Sequence, residues 1–335
     1  MDTLTHIALG ACIGEVLQGK HLGRRASLIG AFANSVPDLD FIAATWLDTD
    51  DNLLTHRGFT HSFIFAAIAT VLLSFLFERW FHRRTIHLNN WMLFFGLQIF
   101  LHDFIDAFNN YGTGWFEPFS HERISFHTVF VADPFFSVWL GIGLLAIIIC
   151  KTHQQRRFWS MIGISCCSLY LLYCIWNKSQ IEKDVQTALQ QQHITYDKHF
   201  STPTPLNNWL WFVVATNDTG SYIGYRSVFD SKKEMQFQFF PRNDSLLKAL
   251  AERKDVKNLV RFSQDFYTVE HWKDTLVFND LRFGQMEGWE HPRSRFAFHY
   301  FLSLPDQNTL VVQRGRFAKW DRRTIEVMWK RIKGN

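Results

Sequence analysis

The feature that most constrains the fold is a run of sixteen residues, Ser62 to Phe77, that contains no charged side chain. A helix rises about 1.5 Å per residue and must cross roughly 30 Å of hydrocarbon, so runs of about this length are typical of membrane-spanning helices. From Lys178 onward charged residues recur every few positions, and no run is long and apolar enough to span. The sequence therefore predicts a helical membrane domain at residues 1–177 and a soluble domain at residues 178–335. Further apolar runs in the first half lie at about Leu88 to Phe108, Pro134 to Cys150 and Phe158 to Asn177.

Two earlier apolar segments, Leu4 to Leu17 and Ala26 to Trp46, are shorter or interrupted. Pro37 breaks the second segment because proline lacks an N–H donor and restricts the residue before it. We expect both segments to be helical, and re-entrant where they do not cross the membrane. The predicted fold class is an α-helical polytopic membrane domain of about six hydrophobic helices, followed by a small, mostly β (α+β) soluble domain.

Lysine and arginine are distributed unequally between the loops of such a bundle. Because cytoplasmic loops carry the excess of basic residues, the richer set of loops is predicted to be cytoplasmic. The chain would then be a multi-pass protein of the cytoplasmic (inner) membrane, with its polar clusters and C-terminal domain on the extracytoplasmic side. This topology accounts for the net charge of +4, so no nucleic-acid partner is expected. The opposite loops contain mainly Arg57 and Arg123, against Lys20, Arg24, Arg25, Arg79, Arg83, Arg84, Lys151, Arg156 and Arg157.

Histidine and aspartate residues concentrate at the predicted outer ends of these segments. In HDFID, His102 and Asp106 are four apart and share a helical face, as two ligands of one metal would. A buried hydrogen bond between the two explains this spacing equally well. In PDLD, Asp38 and Asp40 follow a proline turn that can direct both carboxylates at one cation, although a solvated turn has the same pattern.

A third cluster, HRGFTH, places His56 and His61 five residues apart, about 140° around a helix. They converge only if His56 lies in the loop before the helix, which Gly58 allows. His6 stands alone at the start of the first segment, where a packed or solvated histidine would be unremarkable. Because ionisable groups are costly in membrane helices, the whole collection indicates a functional site. Imidazole and carboxylate ligands suit zinc or manganese, and more than four of them imply two or more ions.

The motifs also resemble those of the YdjM-like inner-membrane proteins, a family of predicted membrane-bound metal-dependent hydrolases. The similar motifs are MDTLTH, PDLD, HRGFTHS, HDFIDAFNNYGTGWFEPFS and ADP, in that order through about Asp133. His127 has no counterpart among them. The order of histidines and aspartates is more distantly similar to the zinc phospholipase C and P1 nuclease group, although Met1 stands where that group has a tryptophan ligand. The resemblance implies an additional site residue, Asp133, and metal ligands at His6, Asp38, Asp40, His56, His61, His102 and Asp106.

The predicted function is metal-dependent hydrolysis of a phosphoester or another ester by an activated water molecule. Asp40 or Asp133 would be the catalytic general base. Arg57 and Arg123 would bind an anionic group of the substrate, or membrane lipid headgroups. A site at the membrane surface favours a lipid or lipid-linked substrate.

A second hypothesis is a non-enzymatic membrane protein in which a structural metal ion holds the helix ends and the β domain binds a protein partner, whose identity the sequence leaves unknown. Metal count and an open coordination position distinguish the two hypotheses. An ion transporter is less favoured, because transport sites lie near the membrane midplane.

In the soluble half, aromatic and β-branched residues alternate around turn signals such as NDTG. The sequence predicts strands on both sides of this turn, and two more around PDQN at residues 305–308. A helix is expected near Asp244 to Arg261 and another at the C-terminal end. His271, His291 and His299 have no ligand spacing, so we interpret them as surface or packing residues.

Overall fold

The computed structural model describes residues 1–81, 86–232, 234–303, 308 and 320–334. The chain divides into two compact units. Unit 1 contains Met1–Trp46 and Thr55–Cys174, and unit 2 contains Leu47–Leu54 and Ile175–Asn335. Arg83 and Arg84, which contributed to the predicted topology, and the strand expected after PDQN lie outside the described residues.

Unit 1 is helical. Its elements are α1 (Thr3–Leu22), α2 (Arg25–Ser35), the 3₁₀ helices η1 (Pro37–Thr45) and η2 (Phe59–His61), α4 (Phe63–Trp80), α5 (Leu88–Asp106), α6 (Pro134–Ile149) and the first part of α7 (His153–Gln191). The helix α3 (Thr49–Thr55) falls almost wholly in the segment assigned to unit 2.

The prediction of about six membrane-spanning helices is wrong. Among the described residues, two helices are long and apolar enough to cross a membrane, α4 and α7. The helix α2 has 11 residues and α6 has 16, so both are short for a bilayer. In α5, part of the apolar surface packs inside the unit, where Trp91, Phe94 and Phe95 are fully buried. The predicted alternation of loops between the two sides of the membrane assumed six spans, and it therefore has no support.

Small residues let α1 and α2 pack in direct backbone contact. A Cβ atom at Gly10 or Gly14 would overlap a carbonyl oxygen of α2, and one at Gly30 would overlap the carbonyl oxygen of Gly10. Such close approach is typical of helix pairs that have few apolar side chains to interdigitate. It brings His6 of α1 and Asn34 of α2 within reach of each other.

Unit 2 confirms the predicted β-rich domain. One antiparallel sheet has the order β1 (Lys198–Pro203), β2 (Leu210–Asn217), β3 (Gly220–Ser227) and β4 (Phe237–Pro241), and a second has β5 (Tyr267–Trp272), β6 (Thr275–Gln285) and β7 (Phe296–Phe301). The hairpin at NDTG joins β2 to β3. The expected helices are also present, as η3 (Asp244–Leu250), α8 (Lys254–Ser263) and α9 (Arg322–Ile332).

The strand β2 is buried on both faces. Trp211 and Val213 pack with Ile181 and Val185 of α7, whereas Phe212 and Val214 pack with residues of the second sheet. Side chains alternate between the faces of a strand, so β2 joins two hydrophobic clusters. The core of unit 2 is thus a sheet enclosed between a helix and another sheet.

Candidate metal centre

Four side chains from three segments converge at one end of unit 1. The helix α5 supplies His102 and Asp106, one turn apart on the same face. The 3₁₀ helix η1 supplies Asp38, and η2 supplies His61 immediately before α4 begins. One ligand atom from each of the four lies within 4.8 Å of the others, and we call these residues ligand group A.

The distances in ligand group A suit a small cation. The Nε2 atoms of His61 and His102 are 3.1 Å apart, and each is 3.6 Å from Asp38 Oδ1. Asp106 Oδ2 lies 3.7 Å from His61 Nε2 and 3.8 Å from His102 Nε2. Tetrahedral zinc with ligands at 2.0–2.1 Å has ligand-to-ligand distances of about 3.3 Å. The donor set and its spacing therefore fit a divalent metal ion.

The hydrogen bonds of the two histidines direct their lone pairs at each other. Nδ1 of His102 donates to the carbonyl oxygen of Asn34 at 2.6 Å, so its Nε2 carries the lone pair. Nδ1 of His61 lies 3.2 Å from the hydroxyl of Thr60, whose own proton goes to Asp40. With both Nδ1 atoms protonated, two lone pairs face each other across 3.1 Å. A cation between them would remove this repulsion.

The protonation states agree with a metal site. Burial is the main cause that lowers the pKa of His61, to about 3, so its imidazole is neutral at physiological pH. Burial alone would raise the pKa of Asp38, but interactions with His102 and His61 outweigh it and hold the pKa well below its usual range. Metal ions bind neutral imidazole and ionised carboxylate.

A second set of ligands adjoins the first. Atoms of Asp38, Asp40 and His56 also lie within 4.8 Å of one another, and we call these residues ligand group B. Asp40 Oδ1 is 2.9 Å from His56 Nδ1, and its Oδ2 accepts hydrogen bonds from the backbone of Arg57 and from Thr60. Asp38 belongs to both groups, so its carboxylate is placed to bridge two ions. The side chain of His56 is 35% exposed, which leaves this group open to solvent.

His6 lies beside ligand group A rather than within it. Its Nε2 is 3.0 Å from Asp106 Oδ1 and its Nδ1 is 3.2 Å from Asn34 Oδ1. Its ring stacks on that of His102 with centroids 3.8 Å apart. The oxygen of Asp106 that His6 contacts is also paired with the amino group of Met1 and is not the one that faces the group. His6 is therefore placed to orient two ligands.

The two arginines of the sequence prediction contact protein groups. Arg57 is buried, its Nη1 donates to Asn109 Oδ1 at 2.8 Å and its Nη2 lies 3.0 Å from Asp106 Oδ2. Its backbone has a positive φ of 60°, in the loop that Gly58 continues. Arg123 donates to the carbonyl oxygen of His56 at 2.8 Å. Both side chains thus support the segment that carries the ligands.

Asp133 lies outside both ligand groups. It caps α6, where Oδ1 accepts hydrogen bonds from the backbone of Phe135 and Phe136, and Oδ2 accepts one from the hydroxyl of Tyr170. Burial raises its pKa to about 6. His127 is bonded to Asn110 in a loop and likewise belongs to neither group.

Sequence reasoning missed three buried polar residues around the centre. Asn34 orients His6 and His102, and Asn109 holds Arg57. Asp103 is buried, and neither of its carboxylate oxygens accepts a hydrogen bond from the residues that the structure describes. The available signal was a polar residue within an apolar run, such as Asn34 in LIGAFANSV.

Comparison with known proteins places the sequence in a family. Over 122 residues the chain is 34% identical to the inner membrane protein YbcI of Escherichia coli (strain K12), a match that covers 36% of this chain and 69% of YbcI. Over 146 residues it is 32% identical to the uncharacterized protein YfhP of Bacillus subtilis (strain 168), covering 40% of this chain and 42% of YfhP. No solved structure matches. Residues 1–181 match the YdjM inner membrane protein family, and the chain belongs to that family.

Proposed function

We propose that this chain is a membrane-bound metal-dependent hydrolase that cleaves a phosphoester or another ester. The observation that carries the proposal is the pair of imidazole lone pairs, His61 Nε2 and His102 Nε2, that face each other at 3.1 Å with a carboxylate oxygen of Asp38 at 3.6 Å from each. A cation lying among these neutral and anionic donors would account for the arrangement. Zinc suits the ligand types, and manganese is the alternative.

The two ligand groups differ in their number of protein ligands and in their exposure to solvent. Group A encloses its centre with four protein side chains, whereas group B offers three and includes the partly exposed His56. Catalytic zinc sites characteristically have three protein ligands and a position for water. Bound there, a metal ion would lower the pKa of water and polarise the bond to be cleaved. The shared carboxylate of Asp38 would fix the distance between the two ions, and His6 would hold the Asp106 side chain in position.

Among the candidate general bases, Asp40 is better placed than Asp133. Asp40 belongs to ligand group B, and Arg57 and Thr60 hold its second oxygen. Asp133 lies outside both ligand groups, where it caps α6 and bonds Tyr170. We therefore assign the orientation of the attacking water to Asp40 and a structural role to Asp133. Arg57, whose Nη2 lies 3.0 Å from Asp106 Oδ2, remains the candidate for binding an anionic group of the substrate.

We further propose that the centre faces the extracytoplasmic side of the inner membrane. Basic residues collect at the end of unit 1 remote from the ligands. Arg24 donates to the carbonyl oxygens of Ile148 and Cys150 there, and Arg156 pairs with Glu15. Basic ends are cytoplasmic by the positive-inside rule. Labelling by a membrane-impermeant thiol reagent in intact cells tests this: Glu122→Cys should be labelled and Arg25→Cys should not.

Metal content and hydrolysis, measured together, test the main proposal. Detergent-purified protein should contain two ions per chain by elemental mass spectrometry and should hydrolyse a generic phosphodiester. His102→Ala and Asp106→Ala should lose metal and activity together. His121→Ala is the matched control, because this exposed histidine belongs to neither ligand group. Retention of both ions and of full activity by His102→Ala would contradict the proposal.

One observation favours the non-enzymatic alternative. Four protein ligands, as in group A, are the usual complement of a closed structural zinc site. In that case the protein would hold one ion per chain, hydrolysis would be absent, and removing the ion would lower the thermal unfolding midpoint. Unit 2 would then be the region in which to seek a protein partner.

A further inference from the structure

The 3₁₀ helix η1 has two dissimilar sides. With three residues per turn, residues three apart lie in one row. The row of Pro37, Asp40 and Ala43 is buried. The remaining rows present an apolar ridge, in which Leu39, Phe41 and Ile42 are 47%, 62% and 43% exposed. The buried row therefore holds Asp40, whereas Asp38, the residue shared by both ligand groups, lies in the same row as Phe41 of the ridge.

This ridge is continuous with a candidate membrane span. The 3₁₀ helix η1 packs against η2, whose last residue is the ligand His61, and α4 begins two residues later at Phe63. The 18 residues of α4 extend about 27 Å, close to the thickness of the hydrocarbon core. With α4 across the bilayer, its start, and with it η1, would lie at the membrane surface. Trp46, at the end of η1, is 68% exposed and is a residue type enriched at that level.

The charge pattern selects lipid as the occupant. Residues 41–47 contain no charged side chain; of the two carboxylates that flank them, Asp40 is buried and Asp48, beyond Trp46, is exposed. Large exposed apolar side chains without intervening charges are unusual on a water-facing surface. On a helix that lies at the interface, they are the side that enters the acyl boundary.

We propose that the ridge formed by Leu39, Phe41 and Ile42 is inserted into the phospholipid bilayer beside α4 and delivers a phospholipid headgroup laterally to the ligand groups. Insertion stands independently of the proposed function, whereas delivery rests on it. Asp38 and Asp40 belong to the same short helix as the ridge. A phospholipid headgroup bound beside the ridge would therefore lie close to both ligand groups. The substrate class is then a membrane phospholipid.

Spin labels at single cysteines test insertion. Phe41→Cys and Ile42→Cys would be made in a background where the partly exposed Cys150 and Cys166 are serine, and reconstituted in phosphatidylcholine–phosphatidylglycerol vesicles. Both labels should be several-fold more accessible to oxygen, relative to a water-soluble nickel complex, than a label at Glu122 in an exposed loop. A label at Leu72, on the uncovered face of α4, gives the membrane reference. Ratios at 41 and 42 equal to the ratio at 122 would overturn insertion.

Delivery is tested by comparing two substrates. The double variant Phe41→Ser with Ile42→Ser should retain its metal and lose at least tenfold more activity on vesicle phospholipid than on a soluble phosphodiester. An equal loss on both substrates would overturn delivery. If the wild-type protein hydrolyses neither substrate, the proposed function fails, while the spin-label result still decides insertion.

Discussion

Replacing His6 separates two roles that the sequence could not distinguish. The seven-ligand hypothesis makes His6 a metal ligand, whereas the structure places it against Asp106 Oδ1 and on the ring of His102. Mutation of a residue that orients metal ligands typically weakens metal binding by 10- to 100-fold, or about 1.4–2.7 kcal/mol. We therefore expect His6→Ala to weaken metal binding by this amount without abolishing it. His102→Ala, which removes a ligand, should leave group A unable to retain its ion through gel filtration.

The assay is competition for metal against a chromophoric chelator of known affinity. His6→Gln is the matched variant, because its amide N–H can still donate to Asp106. It should recover part of the lost affinity. Thermal unfolding of each variant without metal controls for the loss of packing at this buried position. If His6→Ala released its ion as readily as His102→Ala does, His6 would be a ligand and the positioning argument would be refuted.

Three further predictions concern the scaffold, each checked by unfolding in detergent. Gly30→Ala should destabilise unit 1 by about 1–3 kcal/mol, because the added Cβ overlaps a carbonyl oxygen of α1. Gly141→Ala is the control and should be neutral, because its Cβ meets no neighbouring atom. Equal effects of the two substitutions would contradict the close packing of α1 and α2. Burial raises the pKa of Asp133 to about 6, so the folded state binds more protons than the unfolded state, and stability should fall by roughly 3 kcal/mol between pH 4 and 6. This component should vanish in Asp133→Asn, and an unchanged pH profile would argue against it. Asp280→Ala removes the carboxylate that pairs with the fully buried Arg282 and should destabilise unit 2 by about 3–5 kcal/mol. The double variant with Arg282→Met should recover most of this loss, and no recovery would mean that the loss does not come from the buried charge.

The sequence predicted the soluble half better than the membrane half. The hairpin of β2 and β3 was predictable because strand alternation and the turn residues of NDTG are local properties. The number of membrane spans was not predictable, because the same apolar run can contact either lipid or other helices. In α5 the apolar residues Trp91, Phe94 and Phe95 are buried inside unit 1.

The candidate centre shows the same division between local and distant information. The four-residue spacing of His102 and Asp106 placed both on one helical face from sequence alone. The position of His6 outside the ligand group depends on how α1 packs against α2 and α5. The spacing of residues along the sequence contains no information about that packing. The sequence predicted that Arg57 would bind a substrate anion or lipid headgroups, whereas its side chain is buried and donates to Asn109.

The division of the chain into units has a consequence for dissecting the protein. Leu47–Leu54 belongs to unit 2, where Lys254 pairs with Asp51 and Asn258 bonds Asp50, although the residues on either side belong to unit 1. The polypeptide therefore passes from one unit to the other three times rather than once. Asp40 and His56 of ligand group B stand at the two ends of this excursion. Deleting or exchanging the C-terminal portion would therefore remove the contacts of Leu47–Leu54, the segment that links two candidate ligands of group B.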